Sequence, residues 1–377
     1  MIREGQKRLE GIDLLRGLAI FFVLMNHINM RLRLAKVPYT QGIPDQLVHL
    51  LVWNGQYGVQ IFFAVSGFLI TSTSLRRWNG LSNVDVTGFY RLRFARIAPL
   101  LLLLLATLCS LHLAHFKDFV VTAQRGGLGP ALLAALTFQV NVHEARHGYL
   151  PGSWDILWSL SVEEMFYLFF PAVCRLFGRG RLLIAILLGF VVVGPLGRTV
   201  WASGLWQEYS YLGGMDAIAL GCLTALAVAQ TRLLRGTLRM LGIAGAAMMI
   251  FVLGFSKQVQ SLGLGRTGLD MTLLAVGTCM VIAASVQTDW RSPVALRPML
   301  RLGERSYEVY LTHMFVVFAF FNLFLWAGKP MGWVAALFVA VILIAAVLGA
   351  SVARWYSEPM NRMLRSGLPK QSSQLPV

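Results

Sequence analysis

Ten apolar runs, each close to the length that crosses a bilayer, follow one another along this chain: 12–31, 56–74, 97–114, 155–176, 182–202, 211–230, 239–256, 268–287, 306–327 and 332–355. A helix of about 20 residues spans the hydrocarbon of a membrane. Backbone within lipid must pair its own N–H and C=O groups, so each run is expected to be a helix. The fold expected is therefore all-α, a polytopic integral membrane bundle. Composition closes the soluble alternative, because 56% of the 377 residues are hydrophobic and only 13% are charged. Soluble domains carry about 25% charged residues, and this chain has too little polar surface to coat a globule.

A shorter run, Pro130–Val142, is about half the length of a span and reads as a re-entrant or interfacial helix. Parity supports that reading. With a cytoplasmic N-terminus, the cytoplasmic loops hold Arg76, Arg77, Arg91, Arg93 and Arg96, then Arg179 and Arg181, then Arg232 and Arg235, then Arg291, Arg297, Arg301 and Arg305. Arg31, Arg33 and Lys36 are exceptions on the outer side. The net charge of +16 is thus spread among loops as an orientation signal, not gathered into a nucleic-acid face. Residues 1–366 read as one transmembrane domain and 367–377 as a disordered cytoplasmic tail, with no room for an attached soluble domain. Arg3, Lys7 and Arg8 before the first run resemble a signal peptide, but no small-residue cleavage site follows, so a retained span is expected. Cys109, Cys174, Cys222 and Cys279 lie in apolar stretches with no metal or redox spacing and read as packing residues.

Charge inside these runs is the next constraint. Arg16 and His27 occupy the first run, eleven positions apart. At 3.6 residues per turn they differ by about 20° around the helix and roughly 16 Å along it, so they share a face at different depths. Asp13 is placed to pair with Arg16. A neutral His27 near the outer boundary could take a proton from a hydroxyl, and Arg16 could hold an anionic group or snorkel. The segment Trp158-Ser-Leu-Ser-Val-Glu163-Glu164 puts adjacent carboxylates inside a span. Adjacent helical positions point about 100° apart, so at most one is expected to face His27 or an arginine, and the other needs its own partner or a proton. Ser306, Tyr310 and His313 line one face of a later run as interhelical tethers or a further polar site. Arg93 and Arg96, one turn apart, could clamp phosphates or simply mark a cytoplasmic loop. Gly58 and Gly67 allow close helix approach, while Arg198, Asp216 and Asp270 read as cavity residues without a clear pattern.

In this order the segments resemble the membrane-bound acyltransferase-3 family, O-acyltransferases acting on bacterial surface glycans. Arg16 with His27 is similar to its Arg-x10-His motif, Gly58–Ile70 (with Ser66) to its Phe-Phe-x-x-Ser-Gly-Phe segment, and Arg93-Phe-Ala-Arg96 to its Arg-x-x-Arg element. Trp158–Tyr167 resembles its Trp-Ser-Leu-x-x-Glu block, and Ser306–His313 and Tyr356-Ser-Glu358-Pro359 its closing signatures. Gln60 departs from the pattern, since the family often has an acidic residue there. The hydrolase-like domain fused to some members is also missing from the sequence.

The resemblance implies transfer of an acyl group, acetyl being commonest, from cytoplasmic acyl-coenzyme A to a sugar hydroxyl of an exposed glycan or lipid-linked sugar at the bacterial inner membrane. It implies no bound cofactor or metal, and it leaves room for polysaccharide biosynthesis or export proteins as partners. Under it, Arg93, Arg96 and Arg16 would hold the coenzyme, His27 would be the general base, and Glu163 or Glu164 would tune it. Direct transfer and a covalent acyl-histidine both remain open. A proton-coupled glycan transporter or flippase would use similar buried charges, although no inverted repeat is visible.

Overall fold

The computed structural model describes residues 9–178, 180–201 and 204–366. The expected tail at 367–377 and the basic residues Arg3, Lys7 and Arg8 lie outside the described residues. Ten helices are long and apolar enough to cross a membrane. They are α1 (Glu10–Leu34), α2 (Gly55–Trp78), α3 (Val86–Leu113), α4 (Leu157–Phe177), α5 (Arg181–Thr199), α6 (Tyr211–Gln230), α7 (Arg235–Gly254), α8 (Leu269–Gln287), α9 (Ser306–Trp326) and α10 (Val334–Val352). No strand occurs among the described residues. The run at 130–142 is broken into a short helix, Leu128–Leu136, and a second, Val140–His147, neither of which is long enough to cross.

The chief departure concerns α3. Its apolar stretch begins at Ile97, but the helix begins at Val86, so Arg91, Arg93 and Arg96 stand on helix and not in a loop. Hydropathy marks where lipid contact starts; it says nothing about where a helix starts when its first turns are held by ion pairs. The segment at 291–305 likewise contains a helix, Arg297–Glu304, that packs on α1.

The bundle is organised around α1, which meets α2 and α9, and α6, which meets α2, α5 and α8. Gly221 of α6 lies so close to α2 that an added Cβ would be 2.1 Å from the Ala64 carbonyl oxygen. In lipid, where apolar surface gains little from association, such close backbone packing is a main source of helix–helix affinity. Gly221→Ala is expected to destabilise the protein by about 1–3 kcal/mol through overpacking. Gly236→Ala is the control, because a Cβ there meets nothing within 4 Å. Thermal unfolding in detergent should separate the two, and equal transitions would contradict the packing account. Cys174, Cys222 and Cys279 are buried and Cys109 half-buried, all as free thiols.

Candidate functional site

The shared face of α1 is realised. Both Arg16 and His27 turn toward α9: Arg16 Nε donates to Ser306 Oγ at 3.1 Å, and His27 Nδ1 stands 3.2 Å from His313 Nε2. Arg16 also lies 3.7 Å from Asp13. His313 is fully buried, whereas His27 is half-buried.

Hydrogen bonding assigns the tautomers of this pair. His313 Nδ1 is 2.6 Å from the Tyr310 carbonyl, which can only accept, so Nδ1 carries the proton and Nε2 of a neutral ring is bare. His27 Nδ1 faces that bare nitrogen and, at 2.9 Å, the Val23 carbonyl. Two acceptors require a donor between them, so His27 carries its proton on Nδ1. Its Nε2 is left with a free lone pair and no hydrogen-bond partner among the described residues. A neutral imidazole in that state is a base. Tyr310 supports the arrangement from α9 by bonding Ser159 Oγ at 2.7 Å and the Ile156 carbonyl at 3.0 Å, tying α9 to α4.

Toward the other end of the bundle lies an arginine–carboxylate group. Arg93 reaches both acidic residues of α4, Glu164 Oε1 at 3.3 Å and Glu163 Oε1 at 3.9 Å, and its guanidinium lies 3.6 Å over the Tyr167 ring. Glu163 in turn accepts from Tyr167 at 2.5 Å and from Ser66. The expectation that the two carboxylates diverge is thus corrected, because a branched guanidinium seated between them spans the angle that separates adjacent side chains. Neither carboxylate bonds His27 among the described residues; the neighbour that orients His27 is His313. Arg96 binds Glu308 at 3.1 Å and lies over Tyr307. Arg93 and Arg96 therefore diverge, one to α4 and one to α9, and three guanidiniums here face the carboxylates of Asp13, Glu163, Glu164 and Glu308.

Other predicted residues take structural places. Trp158 stacks on Tyr209 with ring centroids 4.4 Å apart. Arg198 and Asp216 are not cavity residues but a buried forked ion pair at 2.8–2.9 Å, joined by Thr272 and by Gln60, whose amide donates to Asp216 at 3.0 Å. An acidic residue at position 60 would set two carboxylates against each other, so glutamine suits this chain. Asp270 accepts from Tyr57 at 2.6 Å. Glu358 of the last motif pairs with Arg305 and, at 3.2 Å, with Arg362.

Two features were missed in the sequence. Arg31, one turn beyond His27 on the same face, lies 4.4 Å over Phe318; the i+4 spacing could have revealed it. Glu144 is fully buried near Asp155, and burial together with that neighbour holds its carboxyl well above the usual carboxylate range. Nothing local in the sequence brings residues 144 and 155 together.

The molecule is, by class, a polytopic membrane protein with acid–base groups strung along its interior. The family model described as Acyltransferase domain matches residues 9–354, and the chain belongs to that family, acyltransferase-3. The peptidoglycan O-acetyltransferase OatA of Listeria monocytogenes serovar 1/2a is 26% identical over 366 residues, 92% of this chain and 55% of the relative. The O-acetyltransferase OatA of Staphylococcus aureus strain MRSA252 is 23% identical over 390 residues, 97% of this chain and 60% of the relative. The chain thus spans little more than half the length of these relatives. No solved structure matches it.

Proposed function

We propose that this chain is a membrane O-acyltransferase that moves an acyl group, acetyl by preference, from acyl-coenzyme A on the cytoplasmic side to a sugar hydroxyl of a cell-wall or other exported glycan. Its family membership and the O-acetyltransferase names of its relatives support the reading. The observation that carries the chemistry is the half-buried His27 with its Nε2 lone pair open and its Nδ1–H engaged.

In this reading Nε2 removes the proton of the acceptor hydroxyl as its oxygen attacks the thioester carbonyl. The imidazolium keeps its Nδ1–H bonds to His313 and Val23, and the coenzyme leaves as thiolate and recovers the proton from Nε2. The donor enters past Arg93, Arg96 and Arg16. A guanidinium has five N–H donors, so each retains some for phosphate after binding its carboxylate.

The test is transfer of labelled acetyl from acetyl-coenzyme A to envelope glycan in membranes containing the protein. Transfer that depends on the protein supports the reading; none with acetyl- or longer acyl-coenzyme A refutes it. Arg93→Ala with Arg96→Ala is expected to weaken donor binding at least tenfold. Glu308→Gln should do the reverse, lowering the donor KM severalfold by releasing Arg96 from its competitor. An unchanged KM in Glu308→Gln would make Arg96 a structural tether and remove it from the donor site.

A further inference from the structure

The positive-inside pattern leaves Arg33 and Lys36 unexplained, since they stand at the His27 end of α1 and not at the Arg93 end. The structure gives them a common setting. Both line a cavity of about 420 Å³ between the end of α1, the following loop and the short helix Asp45–Val52. That volume is in the range of small-molecule sites, about 300–1,000 Å³.

Its chemistry suits a polar anion. Neither Arg33 nor Lys36 forms an ion pair among the described residues. The carboxylate of Asp45, also on the wall, lies 3.5 Å from Lys257 instead. Arg33 lies with its guanidinium carbon 4.6 Å from the Trp53 ring centroid, a contact that uses the ring face and none of the N–H donors a ligand would need. The wall is cross-linked, because buried Asn29 donates to the Val52 carbonyl at 3.1 Å and accepts from Tyr39 at 2.6 Å. Lys36 sits at φ +55°, a left-handed conformation that favours glycine.

We propose that this cavity binds an acidic sugar residue, with its carboxylate or phosphate between Arg33 and Lys36. The cavity is larger than a bare anion needs, and Thr40 and Tyr39 on its wall can meet sugar hydroxyls. Arg33 is six residues beyond His27, about 9 Å along the axis and about 120° around it, so the cavity lies on a different flank of α1 from the histidine pair. It is therefore suited to holding an acceptor glycan at a unit other than the one acylated. That last role rests on the function proposed above; the binding does not.

The experiment is equilibrium binding to the purified protein in phosphatidylcholine nanodiscs. One probe is a tetrasaccharide of alternating glucuronic acid and N-acetylglucosamine, and the other is neutral chitotetraose. No acyl donor is present, so the result is readable whether or not transfer occurs. The acidic probe is expected to bind at least tenfold tighter than the neutral one and to weaken with salt. Arg33→Gln with Lys36→Gly should remove the difference. Lys36→Gly alone, which suits the backbone at this position, should weaken acidic binding severalfold with unchanged thermal unfolding. Equal affinity for the two sugars, binding of neither, or an unaltered Lys36→Gly variant would overturn the proposal. So would loss of acidic-sugar binding in phosphatidylglycerol nanodiscs at a salt concentration where phosphatidylcholine nanodiscs retain it, which would assign the cavity to a lipid headgroup.

Discussion

Acyl transfer by His27→Ala is expected to fall by about 100- to 10,000-fold, the range for loss of a positioned general base, in membranes containing wild-type amounts of folded protein. Among the described residues of α1, the His27 imidazole is the group with an open acceptor nitrogen and a committed N–H. Alanine removes both. The measurement is labelled acetyl incorporation into envelope glycan, normalised to protein amount. Incorporation within threefold of wild type would end the assignment of His27 as base. His313→Ala and His313→Gln extend the test. Glutamine can still accept from His27 Nδ1, so its loss should be the smaller, whereas alanine leaves only the Val23 carbonyl to hold the tautomer. If both variants kept full activity, His313 would be a packing residue.

The largest effect on stability is expected at Asp216→Ala, about 3–5 kcal/mol, the cost of breaking a buried ion pair from one side. Asp216 is fully buried and Arg198 nearly so. Arg198 donates to both Asp216 oxygens, to the Gly268 carbonyl at 2.7 Å and to Thr272 at 2.8 Å, so one guanidinium joins α5 and α6 to α8 and the turn before it. Removing Asp216 leaves that cation without its counter-ion in a lipid-embedded interior. Replacing both partners, Arg198→Met with Asp216→Leu, should recover most of the loss, because apolar side chains of similar volume need no partner. Unfolding transitions in detergent for the single and double variants decide this. A double variant as unstable as Asp216→Ala would place the cost in packing and not in the unpaired charge.

Much of the fold was legible because the bilayer imposes one length and one polarity on every crossing. Runs such as 211–230 and 268–287 match α6 and α8 within a residue at either end. The same logic failed at α3, where polar turns held by Glu164 and Glu308 extend the helix eleven residues ahead of its apolar stretch. Within the site, the Arg16–His27 face was legible from helical spacing alone, as was the Ser306–Tyr310–His313 face. Each face is a property of one helix, and 3.6 residues per turn determines it.

What sequence could not determine is which face meets which. His27 and His313 are 286 positions apart, and their contact depends on α1 and α9 packing side by side. The contest for Arg93 was undecidable in the same way. Glu163, Glu164 and an unspecified phosphate are all plausible partners for a guanidinium on paper, and the packing of α3 on α4 places both carboxylates within reach. The sequence by itself determined the ten runs long enough to cross and which polar residues share a face of one helix, as Arg16 with His27 and Ser306 with Tyr310 and His313 do, because lipid and helix geometry act locally along the chain. The tertiary structure decided the partners, since hydrogen bonds of about 3 Å between helices depend on rotation and depth that no single helix specifies.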